Sequence, residues 1–316
     1  TATMLKMAGI PAYLTWIGTR SIPYRYADVP CPMVDNHMIC TYMVAGTYYF
    51  LDATGKNTPI GTPTSMIQGK EAMIGIGEGK FEIATVPIFA ADRNTRTDSV
   101  FMEIGENGKV FGVGNMRAHG YEKIHMTYPM DAMNSEEKTE FLTEYFRKGS
   151  NKFVIDTLKY ENLYDRDKDL LVHYDYSIGG YAHTNGDEMY INMCLDKAYM
   201  NALIDTSRRE APIEIDYKST ERHISVLTIP EGYGISCTPP DKSFTIGDYS
   251  YTITYTKSGN TLICETLIVI NGLQIQPDQF DEWNLFIASL TAAYNENVTL
   301  KKIAAPSGTN PKTKKK

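Results

Sequence analysis

The sequence predicts an α+β fold that is rich in antiparallel strands and contains few helices. Tyrosine is the commonest aromatic residue, with 22 tyrosines against 11 phenylalanines and 2 tryptophans, and aromatic side chains favour strands. Between residues 152 and 275, short segments typical of strands are separated by turn signals such as Asn185-Gly186 and Ser258-Gly259. Helical periodicity is clear in two separate segments, residues 135–148 and 278–296.

The size and charge of the chain limit the classes of function. Its 316 residues are enough for two domains, and a content of 42% hydrophobic residues is enough to bury a core. The net charge of −7 implies no basic surface for a phosphate backbone, so we expect no nucleic-acid partner. No apolar run has the length of a bilayer span, so we expect no membrane-spanning segment.

The first 92 residues are predicted to form a small antiparallel sheet. The chain opens in the end of an amphipathic helix that Gly9 and Pro11 close, so we expect that its natural beginning has been lost. Four strands are predicted after this helix, with an irregular loop at residues 21–32 and a Gly-, Pro- and Thr-rich loop at residues 55–66. The predicted strands lie at residues 12–19, 34–42, 48–54 and 80–87.

The remainder of the chain is predicted to be a sandwich-like, mainly β domain, residues 93–304, against which two helices pack. Asn107-Gly108 marks a hairpin. The helix at residues 135–148 begins with a capping box formed by Asn134 and Glu137 and ends at Gly149. Residues 305–316 carry four lysines and no apolar periodicity, so we expect a disordered, solvated tail.

The central feature of the sequence is a histidine and an acid on two predicted neighbouring strands. His37 and Asp52 both lie in apolar and aromatic surroundings, and a hairpin connection at residues 44–47 makes their strands antiparallel partners. Buried polar groups of this kind are stable when they hydrogen-bond each other. A structural pair is the commoner use of this arrangement, and a catalytic base with its orienting acid is the functional alternative.

None of the five cysteines is a convincing nucleophile. Cys31 lies in a proline-rich loop without a helix N-terminus, and Cys40 is three residues after His37 and so points to the opposite face of its strand. No Cys or His cluster has the spacing of a zinc site, so we expect no metal or cofactor. Wide spacing argues against a disulfide framework but leaves a single bridge open. The remaining thiols are expected to be small core residues: Cys194, Cys237 and Cys264.

Three weaker patterns are better explained without a functional site. Residues 165–169 are acidic but lack the glycine and the final glutamate of an EF-hand, so we expect a solvated turn. Residues 75–79 are glycine-rich but no lysine follows, so phosphate binding is not predicted. The remaining histidines are expected to be surface or hydrogen-bonded sheet residues: His119, His125, His173, His183 and His223.

Three motifs resemble the second half of a transglutaminase-like core. They are Met7-Ala8-Gly9-Ile10-Pro11-Ala12-Tyr13, Asp35-Asn36-His37 and Tyr49-Phe50-Leu51-Asp52-Ala53-Thr54. The later part of the chain is similar to the β-rich C-terminal region of bacterial proteins, mostly predicted to be exported, that carry such a core in mid-chain. Four segments carry this second resemblance: residues 162–165, 186–192, 208–213 and 229–233.

The resemblance implies a papain-like Cys-His-Asp triad. His37 and Asp52 match its second and third positions, and the cysteine is expected upstream of Thr1, in the N-terminal portion of the same polypeptide. The implied activity is acyl transfer or amide hydrolysis on a protein or peptide substrate, in the periplasm or outside the cell. The alternative is a non-catalytic binding or structural protein with a degenerate core and a β-sandwich interaction domain.

Overall fold

A computed structural model of the protein describes residues 1–29, 31 and 35–303. Val34, where the second strand was predicted to begin, and the predicted tail at residues 305–316 lie outside this part. The described chain is α+β and rich in sheet. Its helices are α1 (Ala2–Met7), α2 (Tyr121–Met130), α3 (Ser135–Tyr145) and α4 (Phe280–Tyr294). None of the helices described is both long enough and apolar enough to cross a membrane.

Nineteen strands are present among the described residues. They are β1 (Ala12–Ile17), β2 (His37–Val44), β3 (Thr47–Leu51), β4 (Glu71–Gly77), β5 (Lys80–Thr85), β6 (Thr95–Ile104), β7 (Val110–Ala118), β8 (Phe153–Glu161), β9 (Leu170–Ile178), β10 (His183–Asn185), β11 (Glu188–Ile191), β12 (Ile213–Glu214), β13 (Ser219–Thr228), β14 (Tyr233–Cys237), β15 (Lys242–Ile246), β16 (Tyr249–Ser258), β17 (Thr261–Ile270), β18 (Gln274–Ile275) and β19 (Val298–Lys302).

The first five strands form one antiparallel sheet in the order β3-β2-β1-β4-β5. Ala45 and Gly46 have φ values of 49° and 80° and connect β2 to β3, as expected of a two-residue hairpin turn. The predicted strand at residues 34–42 begins later, at His37. Asp35 and Asn36 are instead held by the preceding loop, since Asp35 accepts from Tyr26 Oη at 2.8 Å and Asn36 from the Thr19 N–H at 2.8 Å.

The largest sheet has eight strands in the order β15-β16-β17-β13-β6-β7-β9-β8. Most neighbours in it are antiparallel, but β6 pairs with β13 in parallel. Burial alternates strictly along β17, which indicates that one face of the sheet is covered. A four-stranded sheet, β10-β11-β19-β14, contributes Ile191 and Leu300 to the same hydrophobic core.

Helices α3 and α4 occur where the sequence predicts them. Asn134 and Glu137 form the predicted capping box at the start of α3, and the helix ends at Tyr145. In α4, Trp283 stacks edge-on against Tyr249 with ring centroids 5.0 Å apart, which packs the helix onto the large sheet. The domain boundary near residue 92 stays a prediction; at this point a 3₁₀ turn (Ala91–Arg93) leads from the first sheet into β6.

Helix α2 was not predicted, so three helices and not two follow the first sheet. Its residues show no apolar stripe, because Glu122 and Lys123 are buried and Pro129 lies near its end. The residue before it, Gly120, has a φ of 63°, and a Cβ there would lie 2.1 Å from the Arg93 carbonyl oxygen. Only glycine fits this entry into the helix.

Candidate active site

His37 and Asp52 lie side by side in the structure. His37 is the first residue of β2, and Asp52 directly follows β3, so the hairpin brings the two side chains to the same end of the first sheet. His37 Nε2 is 2.9 Å from Asp52 Oδ2. The Asp52 side chain is 1% exposed and that of His37 is 16% exposed. The acid is therefore sequestered, and the imidazole is the accessible partner.

The Asp52 carboxylate has two hydrogen-bonding partners on each of its oxygens. Oδ1 accepts from the Thr54 N–H at 3.1 Å and from Thr54 Oγ1 at 2.7 Å. Oδ2 accepts from Thr64 Oγ1 at 2.6 Å in addition to its contact with His37. Burial raises the pKa of Asp52, but the hydrogen bonds from Thr64, Thr54 and His37 outweigh it and hold this pKa below its ordinary value.

These contacts determine which nitrogen of a neutral His37 carries the proton. An ionised carboxylate can only accept hydrogen bonds, so Nε2 is the nitrogen that donates to Asp52. The lone pair of the neutral ring then lies on Nδ1. A ring oriented in this way can take a proton at Nδ1 and return it, as general acid–base catalysis requires.

The two threonines were not identified from the sequence as site residues. Thr54 is two residues after Asp52, and an acid that accepts from a hydroxyl and an N–H two residues on is a recognisable turn pattern. Thr64 lies twelve residues after Asp52 at the end of an irregular loop. No local pattern marks Thr64, because its contact with Asp52 depends on how the whole loop folds back.

The described cysteines offer no activated thiol beside His37. Cys40 is buried, and burial raises the pKa of its thiol, whereas a nucleophile needs a lowered one. Cys237 is exposed on β14, so the expectation that it is a small core residue was wrong. Cys194 and Cys264 are buried free thiols with their sulfur atoms 3.9 Å apart. Cys31 is partly buried and free.

The loop at residues 165–169 surrounds a lysine: Lys123 Nζ donates to the carbonyl oxygens of Asn162 at 2.7 Å and Lys168 at 2.6 Å. Within residues 1–29, 31 and 35–303, no three His, Cys, Asp or Glu side chains are grouped as metal ligands.

The expectation for His223 was wrong. It is 7% exposed, so it is not on the surface, and neither ring nitrogen has a hydrogen-bond partner within the part of the chain that the structure describes. Its nitrogens instead lie 3.4 Å from Asp196 Oδ2 and 3.5 Å from Glu221 Oε2, in a buried charged cluster. Alternation along a strand marks residue 223 as inward-facing, but only the tertiary fold supplies the two acids.

Comparison with known proteins yields a match for the later part of the chain. The profile of DUF3858, a domain of unknown function with a solved structure, matches residues 187–300. No curated protein matches the chain.

One similar solved structure is a crystal structure from Parabacteroides distasonis described as a "putative protease". It is 12% identical, superposes with a TM-score of 0.48, and the match covers 94% of this chain and 41% of that one. The chain therefore spans less than half the length of that protein.

Proposed function

We propose that this chain carries the base and the orienting acid of a transglutaminase-like cysteine enzyme that cleaves or transfers the acyl group of a peptide or isopeptide amide. The proposal depends on one observation: His37 lies 2.9 Å from Asp52, and both oxygens of Asp52 also accept hydrogen bonds from threonines. The motifs around both residues resemble that superfamily and supply the reaction class. The thiol belongs to a part of the polypeptide that precedes Thr1.

In this reaction His37 Nδ1 takes the proton of the thiol, and the thiolate attacks the amide carbonyl carbon. A carbon–sulfur bond forms, and the carbon–nitrogen bond breaks as His37 returns the proton to the leaving amine. A water or a second amine then attacks the thioester, with His37 as its base, and the thiol is released. Asp52 remains ionised and keeps Nε2–H oriented throughout.

The test is the reactivity of the thiol in a longer polypeptide that includes the segment before Thr1. We expect a thiol-directed alkylating probe to label that polypeptide rapidly at neutral pH, and His37→Ala to slow labelling by about 10²-fold or more. Asp52→Asn is also expected to slow it, because an amide can donate to Nε2 and favour the wrong tautomer. His183→Ala, at an exposed position on β10, is the matched control.

Two results would contradict the proposal. One is a labelling rate that His37→Ala and His183→Ala leave equally unchanged, which would indicate an ordinary exposed thiol. The other is a parent polypeptide without a cysteine at a helix start before Thr1. In either case the non-catalytic binding protein becomes the better description of this chain.

A further inference from the structure

Two consecutive residues join the later part of the chain to the candidate site. Tyr121 Oη, on the first turn of α2, donates to the Pro63 carbonyl oxygen at 2.6 Å. The next residue along that loop is Thr64, whose hydroxyl donates to Asp52 Oδ2 at 2.6 Å. Asp52 Oδ2 is the oxygen that contacts His37 Nε2. Pro63, which accepts from Tyr121 on α2, is therefore the neighbour of Thr64, the donor to Asp52.

The loop that carries Thr64 depends on such anchors, because little in its own sequence fixes it. Residues 53–64 contain no strand, and their internal backbone hydrogen bonds are two turns, Gly55 to Thr58 and Pro59 to Thr62. After Thr64 a single 3₁₀ turn (Ser65–Ile67) buries Ile67. The position of the Thr64 hydroxyl is thus set from one side by that turn and from the other by the bond to Pro63.

Tyr121 is built as a rigid donor. Its side chain is 1% exposed, and its backbone N–H donates to Asn94 Oδ1 at 3.1 Å. The rings of Phe89 and Tyr217 pack against its ring, with centroids 6.0 and 5.4 Å from its own. Burial raises the pKa of Tyr121, so the phenol keeps its proton. Because a carbonyl oxygen can only accept a hydrogen bond, Tyr121 is the donor in the bond to Pro63.

Thr54 does not duplicate this support. It lies two residues from Asp52 and donates only to Oδ1, so its position follows directly from that of the acid. Among the described residues, Thr64 is the one that shares Oδ2 with His37. Displacement of Thr64 would free Oδ2 to move away from Nε2 while Oδ1 stays held.

We propose that Tyr121 is a positioning residue for the His37–Asp52 pair, acting through the Pro63 carbonyl and the Thr64 hydroxyl. The part of the chain that follows residue 92 thereby completes a site whose two principal residues lie before it. The catalytic meaning of this arrangement depends on the proposed function. The positioning itself depends only on the hydrogen bonds.

The test is an NMR measurement of how fast the ring N–H proton of His37 exchanges with water, made on the full chain with ¹⁵N-labelled histidine. In the wild type we expect a low-field resonance coupled to Nε2 that exchanges slowly with water. Tyr121→Phe and Thr64→Val should each speed this exchange by about three- to tenfold, since each removes one hydrogen bond from the path to Oδ2. The double variant should match the single ones, because the two changes interrupt the same path.

Two control variants separate positioning from a general loss of stability. Tyr176→Phe removes a similar bond, from a buried tyrosine on β9 of the large sheet to the Phe101 carbonyl at 3.1 Å. Thr64→Ser keeps the hydroxyl. Both are expected to leave the exchange rate of the His37 proton within about twofold of the wild type.

The proposal is overturned if exchange in Tyr121→Phe equals the wild type, if Tyr176→Phe speeds exchange as much, or if the wild type shows no such resonance. Should Tyr121→Phe fail to fold, Thr64→Val against Thr64→Ser decides the Thr64 step. Tyr121 is then judged by Tyr121→Met, which also lacks the hydroxyl: exchange equal to the wild type in this variant overturns the proposal. No substrate is used, so failure of the proposed activity and failure of the positioning are separate results.

Discussion

Arg20 donates from Nη1 to the backbone carbonyl oxygen of Ile215 at 2.7 Å, and so links the loop after β1 to a segment almost two hundred residues away. The same guanidinium reaches the carbonyl oxygens of Asp216, at 3.1 Å, and Leu273, and it pairs with Glu214. Its side chain is 10% exposed. One side chain therefore satisfies three carbonyl groups at the contact between the first sheet and the rest of the protein.

Arg20→Ala should consequently destabilise the protein by roughly 2–4 kcal/mol, because the partly buried carbonyls lose a charged donor. Urea unfolding measures the change. Arg25→Ala, in the same loop but exposed, is the matched control and should change the free energy of unfolding by less than about 0.5 kcal/mol. Equal effects of the two substitutions would show that the contacts of Arg20 contribute nothing to the stability of the fold.

The buried ion pair of Lys148 and Asp98 is expected to be a second sensitive point. Both side chains are at most 5% exposed, and Tyr174 Oη donates to Asp98 Oδ1 at 3.0 Å. Lys148→Met leaves a buried carboxylate without its cation, so we expect a loss of about 3–5 kcal/mol in thermal or urea unfolding. Lys168→Met, which removes an exposed pair with Asp165, should cost less than about 1 kcal/mol.

Stability should fall between about pH 4.5 and pH 7 because of Glu122 on α2. Burial and the neighbouring Glu221 raise the pKa of Glu122 to about 7, although Arg96 opposes the shift. In that pH range the folded state binds a proton that the unfolded state has released, so raising the pH favours unfolding. Glu122→Gln should remove this slope, on the order of 2 kcal/mol, when unfolding is compared at pH 5 and pH 7.5. An unchanged slope in Glu122→Gln would contradict the assignment to Glu122.

The hydroxyl of Thr54 is expected to keep the orienting acid ionised. Thr54→Val removes one of the two donors to Asp52 Oδ1, the hydroxyl, and should raise the pKa of Asp52, whereas Thr54→Ser should not. Because the folded-state pKa of Asp52 is lowered, its stabilising contribution is complete above about pH 4 and is lost as the pH falls through the folded value. A carbonyl ¹³C titration of Asp52 checks the shift, and identical curves for Thr54→Val and the wild type would rule the prediction out.

The His37–Asp52 pair could be predicted from the sequence because the hairpin that forms it is local. Ala45 and Gly46 both adopt positive φ, and this turn alone makes β2 and β3 partners. Helix α3 could be predicted for the same reason, since its capping box lies within four residues. In both cases the signal and the structure that it predicts occupy the same short segment.

Apart from Thr54, the rest of the site depends on contacts between distant segments, and no local sequence pattern marks it. Tyr121 belongs to a helix whose buried face includes Glu122 and Lys123, so hydrophobic periodicity could not reveal it. Lys123 is stabilised there by the carbonyl groups of a loop some forty residues later. The contact of Thr64 with Asp52 likewise lies next to a long-range bond, the one that Tyr121 on α2 donates to Pro63.

The parallel pairing of β6 with β13 also determines when the eight-stranded sheet can be completed during synthesis of the chain. Until Thr228 has left the ribosome, β6 has β7 on one side and an open edge on the other. Non-local strand pairing of this kind forms slowly and exposes the nascent chain to aggregation. Helix α2 contacts β6, so the surface on which α2 packs is incomplete over the same interval. The hairpin with His37 and Asp52 is therefore translated well before the sheet that supports α2 is complete.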